Sequence, residues 1–108
     1  MQPPIELDTT SWQEVQRILQ AHVPKFNVWA FGSRARHASK PYSDLDLAVM
    51  SDHPMSLAQM ADIQSAFEES DLPIRVDVVD WGSCSEAFRA IIARDKIVVQ
   101  QAATGQQG

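Results

Sequence analysis

The 108-residue sequence is poor in the features that mark disulfide-rich proteins and membrane proteins. Its single cysteine, Cys84, excludes an intramolecular disulfide and a cluster of cysteines around a metal ion. No apolar run approaches the ~20 residues that a membrane-spanning helix requires. The chain is nevertheless 44% hydrophobic, which is normal for a globular protein with a core.

Positive charge is also scarce, because nine lysines and arginines stand against fourteen acidic residues, for a net charge of −5. A general nucleic-acid binder carries a basic face, so we expect no direct nucleic-acid binding. The N-terminal "MQPPIELDTT" lacks the charged and then apolar pattern of a secretion signal. We therefore expect a cytoplasmic protein that does not associate with membranes. The basic residues that do occur cluster at Arg34, Arg36, His37 and Lys40.

The spacing of apolar residues predicts one α+β domain over residues 1–101, followed by a flexible tail over 102–108. Its order of elements, α-β-turn-β-α-β-α-β, predicts a small mixed β-sheet with helices packed on one side. The predicted helices cover residues 9–24, 56–70 and 82–95, and the predicted strands cover 26–31, 43–51, 74–81 and 96–100.

Local signals predict how the helices begin and which side they bury. Ser11 with Glu14 fits a capping box in the first helix, and Ser83 with Glu86 fits one in the third. Leu57 falls on the predicted apolar side of the second helix.

Three aspartates interrupt strands that are otherwise apolar. Asp44 and Asp46 leave the same face of one predicted strand, with about 6.5–7 Å between their α-carbons. Two such carboxylates repel each other and raise each other's pKa, whereas a divalent ion removes that conflict. Mg²⁺ prefers oxygen ligands, and a two-ion phosphoryl-transfer site usually needs a third carboxylate. Asp77 is the best candidate, while alternation places its rival Asp80 on the opposite face.

A Gly-Ser pair, Gly32-Ser33, breaks the first predicted strand. Glycine lets a backbone approach a phosphate closely. Free amides at the start of a helix, together with a serine hydroxyl, then bind the anion. Arg34 or Arg36 would add charge-assisted hydrogen bonds to phosphate oxygens. The pattern predicts a phosphate-binding turn beside the carboxylates.

Each of these features alone also fits a structural explanation. A single D-x-D commonly lies in a turn or on a solvated strand face, and the arginines could belong to a solvated loop. Asp77 could form a structural ion pair with Arg75 or Arg34. The joint order is what favours a catalytic site: a strand, Gly-Ser, arginines, a D-x-D strand and a further strand with a central aspartate.

This joint order resembles a known family. "GSRAR" followed by "SDLDLAV" is similar to the G-S-x-A-R…S-D-x-D-L motif of the DNA polymerase β nucleotidyltransferase superfamily. The resemblance covers almost the whole chain and is closest to the minimal nucleotidyltransferases (MNT proteins). It implies a polymerase-β-like fold in which Gly32 and Ser33 hold a nucleoside triphosphate. Asp44 and Asp46 would bind two Mg²⁺ ions, and Asp77 would complete the metal site and help to activate the acceptor hydroxyl.

The resemblance also implies a partner. Minimal family members are similar to antitoxins encoded beside a HEPN-domain ribonuclease toxin. The implied activity is Mg²⁺-dependent transfer of AMP from ATP to a tyrosine hydroxyl of that partner. A non-catalytic antitoxin that neutralises its partner by complex formation is the alternative, and a transferase for small molecules is a third. The chain departs from the family pattern at His37, where many members have glycine.

Overall fold

The computed structural model describes residues 3–36 and 43–102, and the order of its elements is the predicted one. His37 and Lys40 lie outside the described residues, as does most of the predicted tail. Each strand is shorter than predicted by one to four residues in all, and by no more than two at either end. The elements are α1 (Thr9–His22), β1 (Val28–Phe31), β2 (Leu45–Val49), α2 (Leu57–Glu68), β3 (Val76–Asp80), α3 (Glu86–Asp95) and β4 (Ile97–Gln100), with a 3₁₀ turn at Trp81–Ser83.

The four strands form one mixed sheet in the order β3-β2-β1-β4. Strand β1 runs antiparallel to both β2 and β4, whereas β2 and β3 are parallel. A parallel pair needs a crossover connection, which α2 supplies between β2 and β3. The predicted mixed sheet is therefore confirmed, and β2 is an inner strand while β3 lies at an edge.

The two faces of the sheet are covered by different helices. Leu45, Leu47 and Val49 of β2 are fully buried in the larger core cluster, which also contains the inward side chains of α1 and α2. The residues that alternate with them face the other way, where Ala48 packs with Ile92 of α3. Helices α1 and α2 thus share one side as expected, but α3 lies on the opposite side. Sequence periodicity identifies a buried helix face without indicating which side of the sheet it covers.

The helix starts differ from the predicted capping boxes. Helix α1 is capped by Asp8, whose carboxylate accepts a hydrogen bond from the Ser11 amide. Helix α3 is capped by Ser85, two residues after the predicted Ser83. Both predicted boxes were wrong, because another polar side chain lies within a few residues of each and serves equally well. A complete capping box does occur at the start of α2, where Ser56 and Gln59 bond reciprocally.

The apolar side predicted for α2 is correct at Ile63 and Phe67, which are buried, and at the partly buried Met60. It is wrong at Leu57, which is 89% exposed, and at Ala61, which is also exposed. None of the helices in the described part of the chain has the length and apolar character needed to cross a membrane.

Two leucines provide a matched test of this core. We expect Leu47→Ala to lower the free energy of unfolding by about 2–5 kcal/mol, because it leaves a cavity in a fully buried strand. Leu57→Ala removes the same atoms from an exposed position and should change the free energy by less than about 0.5 kcal/mol. Urea denaturation of both variants measures the difference. Similar losses in the two variants would contradict the assignment of the core.

Candidate active site

The register of the sheet brings two of the predicted aspartates side by side. Asp46 of β2 pairs directly with Asp77 of the parallel strand β3. Directly paired residues project from the same face, and neighbouring strands are only about 4.8 Å apart. Asp44 lies just before β2 and is exposed. Asp46 is therefore the central member of the group: Asp77 is its partner on the neighbouring strand, and Asp44 precedes it by two residues.

The Gly-Ser turn lies directly against this group. Phe31, the last residue of β1, pairs with Asp46, and Gly32 follows it with a φ of +79°. A Cβ atom at Gly32 would lie 2.6 Å from Oδ2 of Asp46. Only glycine combines this left-handed backbone with such a close approach. Ser33 begins the turn that follows, over residues 33–36, and is half-buried.

The electrostatics of Asp46 reflect this crowding. Burial, followed by the negative charges of Asp77 and Asp44, raises the pKa of Asp46 to about 6. Partial desolvation and like charges both disfavour the ionised carboxylate. The sequence-based expectation of mutual repulsion between the aspartates is therefore met at Asp46. A carboxylate held in this state gains by binding a cation.

Asp77 has a cationic neighbour of its own. Nε of Arg75 donates to Oδ1 of Asp77 at 3.1 Å, which is one of the two structural ion pairs considered for Asp77. The Arg75 side chain is 71% exposed and that of Asp77 is 38% exposed. An ion pair so open to water contributes little free energy. It can therefore give way to a ligand that binds Asp77.

The two arginines of the turn have different surroundings. Arg34 is buried, and its guanidinium donates to the carbonyl oxygens of Ser43 at 2.9 Å and of Glu6 at 2.6 Å. The Glu6 amide in turn donates to the Arg34 carbonyl at 3.2 Å. Arg34 thereby links the N-terminal segment, the turn and the entry to β2. These contacts favour a role in holding the turn in place.

Arg36, in contrast, is exposed. Its amide donates to the Gly32 carbonyl at 3.1 Å and closes the turn. Nε of its side chain lies 3.8 Å from Oδ2 of Asp95, at the end of α3. That distance is too long for a good hydrogen bond, so the guanidinium keeps donors for another anion. The contact with Asp95 was not predicted, because nothing in the local sequence indicates that α3 ends beside the turn.

Asp80 has a structural role on the other face of the sheet. It is buried, and its Oδ2 accepts from the Met55 amide at 2.9 Å and from the Ser83 hydroxyl at 2.6 Å. The strand alternation that excluded Asp80 from the site is confirmed. Its hydrogen bonds join the end of β3 to the loop that precedes α2.

The carboxylates fit a Mg²⁺ site that is completed by a substrate. Among residues 3–36 and 43–102, no group of three or more His, Cys, Asp or Glu side chains forms a ready-made metal cage. Mg²⁺ does not require one, because it binds through one or two carboxylates together with waters and substrate phosphates. Asp46 and Asp77 supply such hard oxygen donors on one face, where burial and the like charges of Asp77 and Asp44 raise the pKa of Asp46.

The fold and this arrangement define a nucleotidyltransferase. The family model described as "Polymerase beta, Nucleotidyltransferase" matches residues 13–104. The chain belongs to this family, and the polymerase-β-like fold expected from the sequence is confirmed.

Individual relatives agree with this assignment. The chain is 49% identical over 87 residues to "Probable protein adenylyltransferase MntA" of Haemophilus influenzae, covering 81% of this chain and 76% of the relative. A chain in a crystal structure of a toxin–antitoxin with AMP-PNP shares the fold at a TM-score of 0.70 and 20% identity, covering 87% of this chain and 75% of that one. A structure of a tri-AMPylated HEPN toxin in complex with MNT antitoxin from Shewanella oneidensis gives a TM-score of 0.66 at 18% identity, covering 92% and 76%.

Neutralising Asp46 should stabilise the metal-free chain. A pKa raised from 3.8 to about 6 corresponds to at most about 3 kcal/mol, and screening reduces this to about 1–2 kcal/mol because Asp46 is only half-buried. The native state binds the proton more tightly, so wild-type stability falls as pH rises from about 4 to about 6 and stays lower above that. We expect Asp46→Asn to raise the free energy of unfolding at pH 7.5 and to give no gain near pH 3.5.

Chemical denaturation at the two pH values, in the presence of a chelator, measures this effect. Asp62→Asn is the control, because Asp62 is an exposed carboxylate of α2 away from the sheet face that carries Asp46. Equal gains for the two variants at pH 7.5 would contradict the electrostatic account of the site.

Proposed function

We propose that this chain is a Mg²⁺-dependent transferase that moves AMP from ATP to a hydroxyl group of a HEPN-domain partner protein and thereby acts as its antitoxin. The observation that carries the proposal is the contact between the Gly32 turn and Asp46, with Asp77 paired beside it. This proximity supports a site in which the turn would bind phosphate and the carboxylates would bind a cation on one small face of the sheet.

The relatives support the finer parts of the proposal. The relative at 49% identity is named a probable protein adenylyltransferase. Two chains of the same fold come from a toxin–antitoxin structure with AMP-PNP and from a complex with a tri-AMPylated HEPN toxin. AMP-PNP in the first structure supports an adenine nucleotide as donor, and the AMPylated HEPN toxin in the second supports a HEPN protein as acceptor.

The turn would hold the triphosphate. The open backbone of Gly32 and the hydroxyl of Ser33 can approach phosphate oxygens closely. Arg36 is exposed beside them and would add charge-assisted hydrogen bonds. Arg34 would act indirectly, because its hydrogen bonds to Glu6 and Ser43 fix the turn and the entry to β2.

The carboxylates would hold the metal. Asp44 and Asp46 would bind two Mg²⁺ ions, and Asp77 would bind one of them. When bound, Mg²⁺ neutralises charge on the phosphate oxygens and lowers the pKa of a hydroxyl close to it. Asp46 gains most from this arrangement, since its negative charge is the most poorly compensated of the described carboxylates at the site.

The reaction itself is a displacement at phosphorus. The acceptor oxygen forms a bond to the α-phosphorus of ATP, the bond between that phosphorus and the oxygen bridging to the β-phosphate breaks, and pyrophosphate leaves. The acceptor hydroxyl loses its proton, which the carboxylate of Asp77 would accept. Positioning and charge stabilisation account for most of the catalysis, because such transfers require little covalent chemistry from the protein.

Removing one carboxylate charge tests the catalytic proposal. We expect Asp44→Asn or Asp46→Asn to abolish transfer while the fold remains intact. Intact-protein mass spectrometry of the co-encoded partner, incubated with the chain, Mg²⁺ and ATP, would show a gain of one or more AMP units with wild type and none with either variant. Circular dichroism of the variants controls for folding, and undiminished transfer in both variants would refute the proposal.

The acidic charge of the chain supports a second candidate function, a non-catalytic antitoxin. A chain with net charge −5 can dock on a basic ribonuclease surface and neutralise it by binding alone. The variant with Asp44, Asp46 and Asp77 all changed to asparagine separates the two functions in a toxicity assay. Loss of suppression with the complex intact favours catalysis, whereas retained suppression favours the binding antitoxin.

The two arginines should respond differently to substitution. We expect Arg36→Gln to raise the KM for ATP about tenfold or more with little change in Tm, because it loses charge-assisted bonds worth about 1.5–3 kcal/mol. Arg34→Gln should instead lower the free energy of unfolding by about 1–3 kcal/mol, since it loses buried bonds to two carbonyl groups. Steady-state kinetics and thermal denaturation of both variants measure these effects. A raised KM for Arg34→Gln with an unchanged Tm would assign the phosphate contact to Arg34.

A further inference from the structure

Asp77 lies on a strand that has only one neighbour. Strand β3 is at the edge of the sheet, paired with β2 alone. The Arg75 carbonyl accepts from the Leu45 amide of β2 at 3.0 Å. Because backbone groups alternate in direction along a strand, those of Asp77 also point towards β2, and those of Val76 and Val78 point away from it.

A side chain of α2 binds these outward groups on both sides of Asp77. Nε2 of Gln64 donates to the Val76 carbonyl at 2.7 Å. Oε1 of Gln64 accepts from the Val78 amide at 3.2 Å. One carboxamide therefore provides the donor and the acceptor that the peptide group of a further strand would provide. Gln64 is itself held in place, since its helix is anchored by the buried Ile63 and Phe67.

From this geometry we propose that Gln64 is a positioning residue for Asp77. Its two hydrogen bonds are made to the residues on either side of Asp77, and they fix the rotation of β3 about its own axis at that position. Asp77 is thereby kept on the sheet face that it shares with Asp46, its register partner. The catalytic side of this inference rests on the proposed function, in which Asp77 helps to bind the metal and activate the acceptor.

The edge position explains why such a residue is needed. An edge strand without a second neighbour can twist or detach locally, because half of its backbone groups have no partner strand. Asp77 also has a competing contact, the ion pair with the exposed Arg75. Because Arg75 already bonds the Asp77 carboxylate, a rotation of β3 would let this ion pair carry the carboxylate away from the sheet face that it shares with Asp46. The bonds of Gln64 oppose that rotation from the side that β2 cannot reach.

Two substitutions of Gln64 test the proposal. Gln64→Met keeps the length of the side chain and removes both hydrogen bonds. Gln64→Glu keeps the acceptor for the Val78 amide but places a carboxylate against the Val76 carbonyl. It replaces Gln64→Met in both measurements if the methionine variant folds poorly. Ile63→Val is the matched control, because it loses one buried methyl group on the same helix and costs about 0.5–1.5 kcal/mol while leaving both hydrogen bonds of Gln64 in place.

The first readout is structural and needs no activity. We expect Gln64→Met to accelerate hydrogen exchange of the Val78 amide at least tenfold. It should also weaken the nuclear Overhauser contact between the β-protons of Asp46 and Asp77 by half or more. Ile63→Val should leave both close to wild type. An unchanged contact between Asp46 and Asp77 in the Gln64 variants would overturn the positioning role.

The second readout is kinetic, measured at a temperature well below the Tm of every variant. Transfer by Gln64→Met should show a kcat at least tenfold lower with the KM for ATP within twofold, whereas Ile63→Val should lose less than twofold in kcat. A weakened Asp46–Asp77 contact with unchanged kcat would overturn the catalytic part of the inference. If wild type transfers nothing, the proposed function fails by itself, and the structural readout alone decides whether Gln64 positions Asp77.

Discussion

The close approach of the Gly32 backbone to the Asp46 carboxylate is the contact on which the site depends. It joins the end of β1 to the start of β2, so the turn and the carboxylates keep one fixed relation. It also explains the raised pKa of Asp46, because the backbone above the carboxylate removes water while Asp77 and Asp44 add like charge. A side chain at Gly32 would occupy the position of the carboxylate oxygen.

The rest of the fold compensates for this unfavourable electrostatics. Strand β2 has a face of charge and a face of fully buried apolar residues, Leu45, Leu47 and Val49. Burial of three such side chains contributes several kcal/mol, at about 1.5–3 kcal/mol each, which exceeds the cost of one half-buried carboxylate. The strand is therefore anchored through its core side. Its opposite face, where Asp46 is half-buried, can carry charges for a cation to bind. This division between the two faces is a common form of a preorganised site.

The neighbouring arginines illustrate how position decides the role of a residue. Arg34 and Arg36 are two apart in one turn and have the same chemistry. Arg34 is buried and binds main-chain carbonyls of two segments, whereas Arg36 is exposed near the end of α3. Sequence alone could not separate them, since a short turn leaves the direction of each side chain open. Their different surroundings follow from which segments pack beside the turn.

The sequence by itself determined the order of elements and the mixed sheet, and its alternation along β3 separated Asp77 from Asp80, because these follow from local periodicity and from a motif of adjacent residues. The parallel register of β2 and β3 then brought Asp77 beside Asp46. It did not determine the helix caps, where several polar residues compete within one turn, or the side of the sheet on which α3 packs. Nor did it indicate the two hydrogen bonds that Gln64 makes to the backbone of β3, or the contact between Arg36 and Asp95. Those features join residues that are distant in sequence, so only the packing of the tertiary structure brings their atoms within reach.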